Sequence, residues 1–166
     1  MSISIQEMFT IGIGPSSSHT VGPMRASKQY LEYLQEHSNT AECVRIKIEL
    51  FGSLAHTGLG HGTDYAILMG LLSLEPGTVV PIQGRQRVDR LINQQTLSLN
   101  KDHNIHFDFK RDLLYDLKTL LPGHANGMRF SAYDEGGLCL LSRCYYSVGG
   151  GFIHDEDSLD RPAIAE

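Results

Sequence analysis

The segment GPSSSHT at residues 14–20 carries four hydroxyls and one imidazole in immediate succession. Serine side chains compete with helical hydrogen bonds, and a strand would turn every second polar residue toward a core. We therefore predict a loop, and Pro23 fits the first turn of a helix that follows it. Such a loop can bind a small polar ligand and exchange a proton near neutral pH. Helix capping and turn formation would account for the same residues without any ligand.

Two other segments, HTGLGHGTD at 56–64 and PGHANG at 122–127, also combine histidine with glycine and small polar residues. Glycine allows the backbone to approach a ligand closely. His61, between Gly60 and Gly62, is either a proton-transfer group or an exposed loop histidine. The first of these segments, like GPSSSHT, precedes a predicted helix, whose free amide groups favour a carboxylate or phosphate. The three loops together predict a site for a small polar molecule with an anionic group.

The pattern of apolar residues predicts the elements that hold these loops. Residues 44–50 alternate between apolar and charged side chains, as in a half-buried strand. An apolar helix is predicted from about Asp64 to Leu74, with Thr63 as its N-cap. The turn sequence DEGG at residues 134–137 predicts a hairpin between two strands.

The middle of the chain is less regular. VDRLINQQTLSLN at residues 88–100 predicts a short amphipathic helix, and NIHFDF at 104–109 predicts a strand. RDLLYDLKTLL at 111–121 fits either a helical turn or irregular backbone. Strands mixed with helices, without a regular βαβ alternation, predict an α+β fold, with a mixed or antiparallel sheet and helices packed on one side.

Composition restricts the classes of function. The chain has 166 residues, of which 41% are hydrophobic, as expected for one compact domain. Its net charge of -5 is dispersed, which disfavours nucleic acid and anionic lipid as partners. Cys43, Cys139 and Cys144 have neither zinc-site nor paired-disulfide spacing, and no apolar stretch reaches the roughly 18 residues of a membrane span. We expect a cytoplasmic protein without a metal site of its own.

Several segments closely resemble the N-terminal β portion of bacterial iron-sulfur (type 2) L-serine dehydratases, also called L-serine ammonia-lyases. They are IGIGPSSSHTVGPMRA at 11–26, HGTDYAILMGLL at 61–72, NGMRFSAYD at 126–134 and YYSVGGGF at 145–152. The resemblance implies an enzyme that converts L-serine to pyruvate and ammonia. It also implies a 4Fe-4S cluster in a larger α portion that normally follows, where one iron acts as a Lewis acid on the serine hydroxyl.

The resemblance further implies how the chain is organised. Residues 1–153 would form the β domain, and 154–166 a linker-like tail toward a missing cluster-binding domain. The three cysteines do not match the family's cluster ligands, so we expect the cluster ligands outside this chain. The β portion of the family is similar to the allosteric substrate-binding domain of some D-3-phosphoglycerate dehydrogenases. We also expect a homo-oligomer, in its simplest form a dimer.

The matched motifs carry roles residue by residue. The resemblance makes His61 the catalytic base that removes the Cα proton of serine, with Asp64 as its possible orienter. It assigns six residues to substrate binding: Ser16, Ser17, His19, Thr63, His124 and Asn126. Thr63 can instead cap its helix, and Ala125 stands where the family commonly has proline.

Two other classes of function fit the same sequence. The domain can be a regulatory module that senses an amino acid without transforming it. It can also serve only for dimerisation, in which case no ligand response is expected. Loss of serine turnover after changes in the HGTD loop would favour catalysis, whereas altered activation by serine would favour regulation.

Overall fold

The computed structural model describes residues 18–58 and 62–157. The helices in these ranges are α1 (Val21–His37), α2 (Gly52–Thr57), α3 (Thr63–Leu71), α4 (Pro81–Gln94) and the short α5 (Phe109–Asp112). The strands are β1 (Arg45–Phe51), β2 (Thr96–Asn100), β3 (His103–His106), β4 (Leu113–Asp116), β5 (Gly127–Tyr133), β6 (Cys139–Gly149) and β7 (Phe152–Asp155). None of these helices is long and apolar enough to cross a bilayer.

Five strands form one mixed sheet in the order β4-β1-β5-β6-β7, and β2 pairs with β3 separately. β1 runs parallel to β4 and antiparallel to β5. The pairs β5-β6 and β6-β7 are antiparallel, and the hairpin predicted at residues 134–137 joins the first pair. As a result, β1, β4 and β6 end at the same edge of the sheet at which β5 and β7 begin. We call this the site edge, because it brings together loops that are distant in sequence.

One face of the sheet forms the core. Ile46, Ile48 and Leu50 of β1, the strand predicted at 44–50, are completely buried. α1 packs on β5 and β6, and α3 packs on α1. The opposite face carries ion pairs such as that of Glu49 with Arg129, at 2.6 Å. The predicted α+β fold, with a mixed sheet and helices on one side, is therefore confirmed.

α1 and α3 pack in close contact at Gly70. A Cβ atom at Gly70 would lie 1.9 Å from Ser27 Oγ and 2.2 Å from the carbonyl oxygen of Met24. Only glycine allows the two helices to approach this closely. The helices also meet where they begin, since Thr63 Oγ1 donates to the carbonyl oxygen of His19 at 2.6 Å. They therefore run in the same direction, with both first turns at the site edge.

The helix predicted across residues 88–100 was wrong in its second half. α4 ends at Gln94, and Gln95 adopts a left-handed φ of 52°, which terminates the helix. Strand β2 follows at once, with Leu97 and Leu99 buried between exposed neighbours. No Gly or Pro separates this strand from α4. The sequence therefore did not reveal where the helical spacing of apolar residues changes to the alternation of a strand.

The segment 111–121 contains the end of α5 and the short strand β4. Asp112 is fully buried and accepts hydrogen bonds from Arg45 at 2.8 Å and from Arg111 at 2.9 Å. Burial opposes ionisation of this carboxyl, but the two guanidinium groups outweigh it and hold the pKa of Asp112 below its ordinary value. The ion pair with Arg45 ties the start of β4 to β1, in a segment whose sequence fitted no single element.

Replacing Gly70 with alanine should destabilise the chain, because the new methyl group meets the backbone of α1 rather than a movable side-chain end. We expect the free energy of unfolding to fall by about 1 to 3 kcal/mol, the usual range for overpacking. Urea denaturation of the 166-residue chain, followed by circular dichroism, measures it.

Gly136→Ala is the matched control, since a Cβ there meets no atom closer than 3.5 Å. Its unfolding free energy should stay within about 0.5 kcal/mol of the parent. Equal midpoints for the two variants would contradict the close helix contact.

Candidate functional site

Ser53, in the first turn of α2, joins two loops at the site edge. The backbone N–H of Ser53 donates to the carbonyl oxygen of Ala125 at 2.9 Å. Its hydroxyl oxygen lies 3.3 Å from Nε2 of His19. The loop before α1, the segment after β1 and the PGHANG loop are therefore direct neighbours. The predicted segment HTGLGHGTD reaches the same place through Thr63, whose hydroxyl donates to the carbonyl oxygen of His19.

This approach depends on Gly52, at the end of β1. Its φ is 55°, in the left-handed region, and a Cβ atom would lie 2.2 Å from the carbonyl oxygen of Ala125. A side chain at this position would be strained and would also push the PGHANG loop away. Gly52 is thus a condition for the contact between Ser53 and Ala125.

His19 is held through both ring nitrogens. Ser18 Oγ lies 3.0 Å from Nδ1, and Ser53 Oγ lies 3.3 Å from Nε2. A neutral imidazole donates from one nitrogen and accepts at the other, so one serine donates to the ring and the other accepts from it. The two serines therefore orient the ring in either tautomer, and the ring can pass a proton between the two loops.

Thr63 does not cap α3, so that prediction was wrong. Gly62, with a left-handed φ of 78°, occupies the N-cap position, and Thr63 is the first helical residue. Its fully buried hydroxyl donates to the carbonyl oxygen of His19 instead. The hydroxyl therefore serves the tertiary contact between the starts of α1 and α3.

Asp64 lies in the first turn of α3, next to Tyr115 of β4. Burial raises the pKa of the Asp64 carboxyl above its ordinary value, although the backbone N–H of Tyr65 donates to it at 2.8 Å. Burial also raises the pKa of the Tyr115 hydroxyl, and the nearby Asp64 charge raises it further. No hydrogen bond of standard geometry joins the two side chains within the described residues. Asp64 and Tyr115 are thus two half-buried ionisable side chains beside the first turn of α3.

His124 and Asn126 occupy different depths of the site. His124 is exposed, and its Nδ1 accepts a hydrogen bond from the backbone N–H of Asn126 at 3.0 Å. Asn126 is half-buried, and its Nδ2 donates to the carbonyl oxygen of Ser147 at 3.1 Å. His124 therefore shapes the loop from the surface, whereas Asn126 ties the loop to β6.

The turn from β6 to β7 closes the site edge against α1. Its glycines, residues 149–151, have φ values of 101°, 61° and 79°. A Cβ atom at Gly151 would lie 2.8 Å from Val21 Cγ1, and Arg25 Nη1 donates to the Gly151 carbonyl oxygen at 2.6 Å. The triple glycine thus allows the turn to rest on the first turns of α1, two residues beyond Ser147.

Sequence reasoning missed Ser53 and Ser147, although each stands close to glycine at the end of a strand. Three residues that it selected, Ser16, Ser17 and His61, lie outside the described residues, and their roles stay predictions. Of the others, His19 and Thr63 are in direct contact, and Asn126 follows the residue that binds Ser53. That adjacency is the part of the predicted site that the structure brings together.

A family model for the serine dehydratase beta chain matches residues 4–158. The chain belongs to this family. An L-serine dehydratase of Streptomyces coelicolor is 45% identical over 164 residues, which are 99% of this chain and 36% of that protein. An L-serine dehydratase of Haemophilus influenzae is 42% identical over 93% of this chain and 34% of that protein. For L-serine dehydratase 1 of Escherichia coli the identity is 39%, over 99% of this chain and 36% of that protein.

The chain spans about a third of the length of these relatives. Within residues 18–58 and 62–157, no group of three or more His, Cys, Asp or Glu side chains is placed to hold a metal ion. The buried Cys43 precedes β1, whereas the exposed Cys139 and the half-buried Cys144 both lie in β6. The described residues therefore do not fit the iron-sulfur cluster that the resemblance to this family implies.

Replacing Thr63 with valine should loosen the contact between the starts of the two helices. Valine keeps the shape of threonine but leaves the carbonyl oxygen of His19 without this donor, at a cost of about 1 to 2 kcal/mol in unfolding free energy. Hydrogen–deuterium exchange of residues 18–24 should become faster as well. Denaturant titration and exchange mass spectrometry of the chain measure the two effects.

Thr63→Ser is the matched control because it keeps the hydroxyl and removes one buried methyl group. It should cost no more than about 1 kcal/mol and leave exchange near α1 unchanged. Faster exchange in both variants would show that the methyl group, not the hydrogen bond, holds the loop.

Proposed function

We propose that this chain is the β portion of an L-serine dehydratase, in which it supplies one wall of the active site. Its membership of the serine dehydratase beta chain family supports this, as do relatives that are named L-serine dehydratases. The observation that carries the proposal is the meeting of His19, Thr63 and Asn126 at the site edge, beside the first turns of two helices. These groups suit a small amino acid.

The carboxylate of L-serine would bind at the starts of α1 and α3. Both helices carry a partial positive charge there, and α1 has no acidic residue in its first turn. Ser16 and Ser17 precede α1 in the chain and are proposed to add hydroxyl contacts. His19, held by two serines, would orient the substrate from the same side.

The reaction is an elimination followed by hydrolysis. A base removes the Cα proton, the released electron pair forms the Cα=Cβ double bond, and hydroxide leaves from Cβ. The aminoacrylate tautomerises to an imine, which water hydrolyses to pyruvate and ammonia. We assign the base to His61, since an imidazole is basic near neutral pH and the flanking glycines leave room for substrate.

The remainder of the protein completes this proposal. The relatives are about three times as long as this chain, and we assign the 4Fe-4S cluster to that remainder. All three cysteines here are free thiols, which supports a reducing, cytoplasmic location. We also propose a homo-oligomer, which sedimentation of the full-length enzyme tests.

The full-length enzyme, reconstituted with iron and sulfide under anaerobic conditions, should form pyruvate from L-serine, whereas this 166-residue chain alone should not. Pyruvate formed by the isolated chain, together with cluster absorbance, would contradict the assignment of the cluster to the remainder of the protein. A full-length enzyme that binds L-serine at this domain without any turnover would favour the regulatory function.

His61→Ala in the full-length enzyme should lower kcat by about 100-fold or more while the cluster spectrum is unchanged, as expected when a general base is lost. Exchange of the Cα proton of serine with solvent deuterium should slow in parallel. Stopped-time pyruvate assays and NMR measure the two rates.

His106→Ala is a suitable control, since His106 is an exposed residue of β3. His124→Ala should lower kcat less than His61→Ala does. Near-normal kcat with a raised KM in the His61 variant would assign that residue to binding and move the search for the base to His19 and His124.

A further inference from the structure

Ser147, near the end of β6, is completely buried, yet its hydroxyl has no hydrogen-bond partner among the described residues. It stands two residues beyond Tyr145, whose ring packs edge-on against Phe130 in the core beneath α1. Because side chains alternate along a strand, Ser147 faces the same side as Tyr145. Its hydroxyl therefore points toward the helix layer at the site edge.

Asn126 presents a second atom of this kind. The backbone N–H of Ser147 donates to the Asn126 carbonyl oxygen at 3.0 Å, and Asn126 Nδ2 donates to the Ser147 carbonyl oxygen at 3.1 Å. A carbonyl oxygen only accepts, so this bond fixes which end of the amide is the nitrogen. Asn126 Oδ1 is consequently a buried acceptor, and no described residue donates to it.

Ser147 Oγ and Asn126 Oδ1 are thus two buried, unsatisfied atoms on residues that are hydrogen-bonded to each other. Such atoms destabilise a fold unless another molecule forms hydrogen bonds with them. Asn126 Oδ1 can only accept and Ser147 Oγ can accept as well as donate, so a hydrogen-bond donor is the one partner that suits both atoms. We propose that Ser147 Oγ and Asn126 Oδ1 accept hydrogen bonds from the α-ammonium group of the substrate. This assignment rests on the proposed function and names Ser147 as a substrate-recognition residue that none of the sequence motifs assigned.

The neighbouring groups support an ammonium rather than a carboxylate. Asn126 Oδ1 cannot donate and repels a carboxylate, which is better placed at the amide groups that open α1 and α3. Asn126 follows Ala125, whose carbonyl is bound to Ser53, and Ser53 in turn contacts His19. The acceptors of Asn126 and Ser147 therefore suit the ammonium group of an amino acid, and the helix amides suit its carboxylate.

The test is Ser147→Ala in the full-length enzyme. Removing the hydroxyl should raise KM for L-serine by about tenfold or more, the usual effect of losing a hydrogen bond to a charged group, while kcat changes less than about threefold. The thermal midpoint of the ligand-free variant should be equal to the parent's or higher, since an unsatisfied buried atom is removed. A hydroxyl that served the fold alone would instead lower the midpoint and leave KM unchanged.

Ser131→Ala is the matched control. Ser131 is also a buried serine of this sheet, but its hydroxyl is paired with Ser142 Oγ at 3.0 Å. This variant should lower the thermal midpoint and leave KM for L-serine within about twofold of the parent, since a made hydrogen bond is lost away from the site.

Two competitive inhibitors identify the group that Ser147 recognises. L-Alanine keeps the ammonium and lacks the hydroxyl, whereas 3-hydroxypropanoate keeps the hydroxyl and lacks the ammonium. Ser147→Ala should raise the inhibition constant of L-alanine and leave that of 3-hydroxypropanoate unchanged. Equal rises for both, or an unchanged KM for L-serine, would overturn the assignment. Absence of serine turnover in the parent enzyme would instead refute the proposed function, so the two failures are distinguishable.

Discussion

The contact of α1 with α3 at Gly70 is the constraint on which the site depends. It holds two helices side by side in the same direction, at a distance that a single added methyl group would not permit. The sheet beneath them ends β1 and β6 at the same edge at which the helices begin. The His19 carbonyl, bound by Thr63, marks the point where these two arrangements meet.

Helices that run in the same direction bring like ends of their dipoles together, which costs energy. The positive ends lie at the site edge, and the strand ends beside them offer oxygen acceptors from Asn126 and Ser147. The carboxylate of a bound amino acid would be stabilised by the positive helix ends, and its ammonium group by the oxygen acceptors. The fold thus holds these polar groups in fixed positions, as in a preorganised polar site.

The sequence was sufficient for features that arise locally. Alternation identified β1, and the DEGG turn identified the hairpin of β5 and β6. The extent of α4 and the existence of β2 and β4 were missed or left open, because a single left-handed residue, Gln95, and a distant ion pair decide them. The roles of Ser53 and Ser147 were missed for the same reason, since they depend on partners in distant segments of the chain. The composition of the loops predicted which segments form the candidate site, whereas only the strand directions show that these segments are neighbours.

The strand order also sets an order of events during synthesis. β1 is made early, but both of its neighbours, β4 and β5, come from the second half of the chain. Pairing between distant segments waits until the later one is available. From the synthesis of residue 51 until that of residue 113, the apolar side chains of β1, Ile46, Ile48 and Leu50, therefore have no sheet to join. A nascent chain of this topology exposes an unpaired apolar strand, and such surfaces are prone to aggregate until their partner strands are made.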